Sequence, residues 1–146
     1  MSKFCITTFL AVFASLVNPQ TLTDDCLACM CYASSDGCVM PDPVCTDGEM
    51  EVCGPFAITR IYWMEAGWFG GEFHTCVEDW QCNEDTVRGY LAKFVTDVNA
   101  TCEDFARTHV GGPHGPDADS TLPYWHEVQS CLDNSTFTVS PEDYLD

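Results

Sequence analysis

Basic residues are scarce in this chain: 5 Lys and Arg stand against 23 Asp and Glu, a formal charge of −18. Clustered cations are what a phosphate backbone rewards, so this lack excludes nucleic acid as a partner and disfavours anionic membranes. After residue 17 there is no long apolar run, so no membrane anchor and no membrane partner are expected. Histidines paired one helical turn apart around a carboxylate base are also missing. His74, His109, His114 and His126 are scattered, a metalloprotease site has no support, and they read as surface or loop residues. Neither a metal nor a cofactor is expected. There is no internal repeat. What is present is enough for one compact domain: 146 residues, 46% of them hydrophobic and 12% aromatic, too apolar for a disordered acidic segment. The acidity therefore describes the surface of a folded core.

Residues 1–20 read as a signal peptide. Lys3 precedes an apolar run from Phe4 to Val17 that is too short to span a bilayer, with cleavage expected somewhere between residues 14 and 20. Its removal takes away Lys3 and Cys5, leaving a charge of −19 and an even ten of the 11 cysteines. An even count suits an oxidised, disulfide-stapled, secreted domain. Two acceptor triplets for N-glycosylation, Asn99-Ala100-Thr101 and Asn134-Ser135-Thr136, agree with an extracellular destination. Residues 21–132 form the expected domain, and 133–146 an acidic C-terminal tail.

Six cysteines crowd the first third of that domain, at 26, 29, 31, 38, 45 and 53. Close thiols of this kind can exchange disulfides or bind zinc, and in a secreted chain the disulfide reading prevails. Thr23, followed by Asp24 and Asp25, is placed to cap a short helix through Cys31. Pro41-Asp42-Pro43 and Asp47-Gly48 leave room between Val44 and Ile58 for no more than a small irregular hairpin. Thr59 to Ala66 reads as an apolar, aromatic segment stopped by Gly67. The clearest helix begins near Asn83 and sets Val87, Tyr90, Leu91, Phe94, Val95 and Val98 toward the core. Cys102 to His109 suits a shorter helix, and Gly111, Gly112, Pro113, Gly115 and Pro116 should then break all regular structure. Ser120 is placed to cap a last helix through Leu132 that tolerates Pro123 in its first turn. Trp63, Trp68, Trp80 and Trp125 suit either a sugar cleft or, for most of them, the core.

Several blocks taken in order resemble one family: Cys-Leu-Ala-Cys-Met-Cys from 26, Cys-Gly-Pro-Phe-Ala-Ile from 53, Tyr62-Trp63, Phe-Ala-Arg-Thr-His from 105, Gly-Gly-Pro-His-Gly from 111, and Tyr124-Trp125. Their order and spacing are similar to those of invertebrate-type lysozymes and their destabilase relatives, from about Cys26 to Leu132. The resemblance implies a lysozyme-like α+β fold, mostly helical with a small β-hairpin and rich in disulfides. It also implies a cleft for bacterial peptidoglycan.

Glycoside hydrolysis needs two carboxyls beside the scissile bond, one protonated to donate to the leaving oxygen and one ionised. By resemblance the ionised one is Asp47, six residues before Cys53, and it is retained as the catalytic residue. The acid is a Glu three residues after the third cysteine of the opening cluster, and here that position is Ser34. A serine hydroxyl does not titrate near neutrality and cannot take that role. Asp36 is the nearest substitute in sequence but reads as a turn residue, while Glu49 and Glu51 flank Asp47. The isopeptidase activity credited to destabilases draws on a serine and a lysine whose places are taken by Met50 and Thr59, leaving only His109. The family's further cysteines are Ala66, Thr86 and Pro116 here, and its Asn after the motif histidine is Val110. Two readings follow: a secreted muramidase using Asp47 with a replacement acid, or a catalytically silent glycan-binding or structural relative.

Overall fold

The computed structural model describes residues 21–134. The expected signal peptide, most of the expected acidic tail and the end of the second glycosylation triplet lie outside the described residues. Among the described residues there are six α-helices: α1 Asp24–Ser35, α2 Arg60–Ala66, α3 Phe73–Val77, α4 Trp80–Phe94, α5 Cys102–Gly111 and α6 Leu122–Asp133. Two short 3₁₀ segments, Gly112–Asp117 and Asp119–Thr121, join α5 to α6.

Local chemistry explains where the helices start. The Thr23 hydroxyl accepts from the Cys26 N–H and opens α1, and Thr59 does the same for the Tyr62 N–H of α2, which Gly67 closes. Helix α1 runs four residues past its expected end at Cys31, because the left-handed residue that closes it is Asp36. Helix α4 starts earlier than its apolar spacing suggests. Asp79 caps it by accepting from the Cys82 N–H, and the helix ends at Phe94, leaving Val98 on the surface. Helix α3 was not foreseen: it is only five residues long and too short to show a period. The glycine and proline run after His109 does not abolish regular structure, since a 3₁₀ turn tolerates Pro113 at its start.

The expected α+β class and its hairpin are not found. Among the described residues there is no β-strand, only isolated antiparallel bridges joining Cys45 to Cys53 and Cys53 to Ile58. The reason is local. Pro41 and Pro43 bring no N–H to a ladder, and Gly48, Gly54 and Ala57 take positive φ angles of 145°, 72° and 52° that interrupt extended chain. Five backbone hydrogen bonds and the Cys45–Cys53 disulfide hold this stretch as a closed loop. The fold is helical and disulfide-rich.

Helices α1 and α5 pack against α6, and α2 and α3 pack against α4, with α4 touching α5. Their buried faces supply one core that includes Leu27, Met30, Phe56, Ile58, Trp63, Phe73, Leu91 and Val128. All ten described cysteines are paired. Cys26–Cys102 staples α1 to α5, Cys29–Cys131 staples α1 to α6, and Cys31–Cys38, Cys45–Cys53 and Cys76–Cys82 close short loops. Among the described residues no helix is long and apolar enough to cross a membrane.

Candidate functional site

Ser34 lies on the last turn of α1, four residues after the fully buried Met30 and on the same side of the helix. It opens onto a cleft of about 440 Å³ whose walls include Phe56, Tyr62, Glu65, His109 and Tyr124. The end of α1, the turn after Cys53 and helices α2, α4, α5 and α6 meet there. The two long-range staples, at Cys26 and Cys29, tie the first two turns of α1 to α5 and α6, the helices that carry His109 and Tyr124.

The Ser34 hydroxyl is engaged. Its oxygen is 2.8 Å from the Met30 carbonyl and 2.9 Å from the Tyr124 hydroxyl, and the Tyr124 hydroxyl is itself 2.8 Å from the same carbonyl. Two hydroxyl protons serve these three contacts, so in each arrangement one of the three pairs has no proton between it. Burial pushes the Tyr124 hydroxyl well above its ordinary range, which keeps it a protonated donor. In place of an acid, this corner of the cleft carries two neutral hydroxyls and a carbonyl.

His109 forms the opposite corner. It is buried, with Nε2 3.0 Å from the Phe56 carbonyl and Nδ1 2.9 Å from the Tyr62 hydroxyl. A carbonyl only accepts, so Nε2 carries the proton. Burial lowers the imidazole from 6.5 to about 4, the Phe56 contact opposing this, so the ring is neutral near neutral pH. Nδ1 therefore accepts the proton of Tyr62, whose hydroxyl burial also raises well above its usual value. The expectation of a surface or loop residue is overturned for His109, although His74, His114 and His126 are exposed. With both nitrogens committed, His109 pins the Phe56 turn to α2 and is not free to activate a nucleophile. Met50 is exposed on its loop and Thr59 caps α2, so no isopeptidase constellation is assembled.

Glu65 was not singled out from the sequence, yet it is the carboxylate that lines this cleft. It is about half exposed, and its Oε2 is 2.6 Å from Lys93 Nζ, which also donates to the Glu65 carbonyl at 3.1 Å. A proton-donating carboxyl needs apolar enclosure, and Glu65 has an ammonium partner and solvent instead. Asp47 sits on the exposed disulfide-closed loop and is not among the residues lining the cleft. Glu49 is exposed beside it, and Glu51 is tied to His74 Nε2 at 3.1 Å. Asp36 closes α1 with φ 51° and lines a different hollow, with His126 and Glu127. It is a turn residue outside the Ser34 cleft.

A metal has little to hold it here. Cys45, Glu51 and His74 bring ligand atoms within 4.8 Å of one another, but the Cys45 sulfur is spent in its disulfide. The tryptophans divide as core and surface: Trp63 is buried, Trp80 and Trp125 are partly buried, Trp68 is exposed, and none lines the Ser34 cleft.

Comparison with known proteins agrees with this framework. The destabilase family profile matches residues 23–131. The chain is 38% identical to a lysozyme of Ostrea edulis over 121 residues, 80% of this chain and 87% of that protein. It is 34% identical to invertebrate-type lysozyme 2 of Caenorhabditis elegans over 119 residues, 73% of this chain and 84% of that one. The crystal structure of Tapes japonica lysozyme superposes with a TM-score of 0.65 at 35% identity, covering 73% of this chain and 88% of that one. The inhibitor-bound lysozyme of Meretrix lusoria superposes with a TM-score of 0.64 at 29% identity. On sequence and on fold, then, the chain belongs to the destabilase family of invertebrate-type lysozymes.

Proposed function

We propose that this protein is a secreted relative of the invertebrate-type lysozymes that binds the glycan of bacterial peptidoglycan in the Ser34 cleft without cleaving it by the family's usual route. The observation that carries this reading is Ser34 itself. The position the family gives to its acid holds a hydroxyl locked to Tyr124 and the Met30 carbonyl, and the retained Asp47 lies on an exposed loop outside the cleft. The cleft keeps what binding needs. It has apolar walls at Phe56 and Val110, hydroxyls at Ser34 and Tyr124 that can exchange bonds with sugar hydroxyls, and the carboxylate of Glu65 as a further acceptor. Five disulfides support an oxidising, extracellular destination.

Titration of isotopically labelled protein with soluble, uncrosslinked glycan strands tests the binding. The expected result is amide shifts gathered at Ser34, Ala57, Glu65 and Val110. Shifts elsewhere, or none, contradict it. A second reading has one observation in its favour: Glu65 is a carboxylate that lines the cleft, and in this reading it serves as the acid. It requires that the protein release soluble muropeptides and that Glu65→Gln stop the release.

A further inference from the structure

We propose that Asn99 is an N-glycosylated position, occupied by an oligosaccharide that covers the turn between α4 and α5. The inference rests on the extracellular destination given above, but not on what the cleft binds. Asn99 heads an Asn-Ala-Thr triplet, a weak signal as sequence alone. The structure adds where that triplet goes. Asp97 and Ala100 close a tight turn, with the Ala100 N–H donating to the Asp97 carbonyl at 3.1 Å, and Val98 and Asn99 stand at its tip. The Asn99 backbone N–H is satisfied by Asp97 Oδ1 at 2.8 Å, so the turn holds its shape without help from the Asn99 side chain. Ala100, only 2% exposed, anchors the base of the turn, and Thr101 begins α5 with its N–H and hydroxyl both donating to Asp104 Oδ2.

A branched sugar on the Asn99 amide thus displaces no packing and breaks no hydrogen bond of the fold. Beside it Val98 is 63% exposed, an apolar side chain at a loop tip for which the core offers no use. An attached sugar supplies that cover. Neither Val98 nor Asn99 lines the Ser34 cleft, so the modification leaves the cleft open. The other triplet differs. Asn134 ends α6 with its amide nitrogen already donating to the Ser130 carbonyl at 2.8 Å.

The oxidising compartment that makes five disulfides is also the one where this transfer takes place. Transfer joins Asn99 Nδ2 to the anomeric carbon of a lipid-pyrophosphate-linked oligosaccharide. The bond from that carbon to the pyrophosphate oxygen breaks, the lipid pyrophosphate leaves, and the amide nitrogen gives up one proton.

Expression of the full chain in a eukaryotic secretory host tests the proposal, with export scored on its own by the appearance of disulfide-bonded protein in the medium. Treatment of that protein with an amidase specific for N-glycans is expected to lower its mass and to leave aspartate at position 99 in the peptide map. Asn99→Gln should be exported with the same thermal midpoint and lack that glycan, while Asn134→Gln retains it. Exported protein with an unmodified Asn99 overturns the site and leaves the extracellular reading standing. A chain retained in the cytosol without a glycan overturns both.

Discussion

A histidine enclosed by two hydrogen bonds is held as a neutral ring, and His109 makes that arrangement measurable. Its folded value of about 4 lies below its ordinary 6.5. The unfolded chain therefore takes up a proton first as the solution is acidified. The stabilisation it gives is whole above pH 6.5 and is lost as the pH falls toward 4. At about 1.4 kcal/mol per unit of difference this amounts to about 3 kcal/mol. Removing the ring also leaves the Phe56 carbonyl and the Tyr62 hydroxyl unpaired in a buried place, each at about 1 to 3 kcal/mol. Denaturant unfolding should therefore show His109→Ala destabilised by about 2 to 5 kcal/mol at pH 7. His109→Gln, whose amide can donate to Phe56 and accept from Tyr62, should recover part of this and show a shallower loss between pH 6.5 and 4. Equal slopes in wild type and His109→Gln would assign the acid sensitivity to the carboxylates.

Sequence made some of these residues legible and hid others. Ser34 stood out because its block is fixed by three cysteines. Its tie to Tyr124 bridges 90 positions and is invisible without the fold. Glu65 gave no signal at all, because only the way α2 meets the cleft makes it a lining residue.

At the scale of elements, two motif glycines show what the blocks are for. A Cβ at Gly115 would run into the Arg107 carbonyl, because the 3₁₀ segment after α5 folds back onto that helix. A Cβ at Gly54, where φ is 72°, would run into the side chain of the fully buried Asn83. Gly115→Ala must therefore push two backbone segments apart, and overpacking of this kind costs typically about 1 to 3 kcal/mol, more where the clash is with rigid backbone. Thermal unfolding at pH 7 should show a clear fall in its midpoint, and an unchanged midpoint would mean that the segment is looser than its packing implies. Helices α1, α2, α5 and α6 could be read from the chain because each couples a cap or a stop to an apolar face. The caps were not all placed correctly: Thr121 rather than Ser120 precedes α6. The hairpin expectation failed because turn residues at 48, 54 and 57 outweigh the few bridges that form. The family's α+β description transferred more sheet than this chain builds.

Across the whole molecule, charge and cross-links act together. The four described cations are all committed: Arg88 to Asp24 and Glu84, Lys93 to Glu65, Arg107 to Glu103, and Arg60 over the Phe73 ring at 4.8 Å. With a net charge of −18 and no free cation among the described residues, an anionic cell wall is repelled at long range. Salt shortens that repulsion to about 8 Å at physiological ionic strength, so contact between protein and wall is best tested there and not in dilute buffer. The central claim is that the Ser34 cleft binds without cutting because neither Asp47 nor a family-type acid lines it. Incubation of disulfide-bonded protein with purified peptidoglycan at physiological salt, from pH 4 to 7, followed by mass analysis of the soluble fraction, tests it most directly. Wild type should release no muropeptides at any of these pH values, and Asp47→Asn and Glu65→Gln should be indistinguishable from it. Release by the wild-type protein, lost in Asp47→Asn or Glu65→Gln, would contradict the account and make this chain a working muramidase.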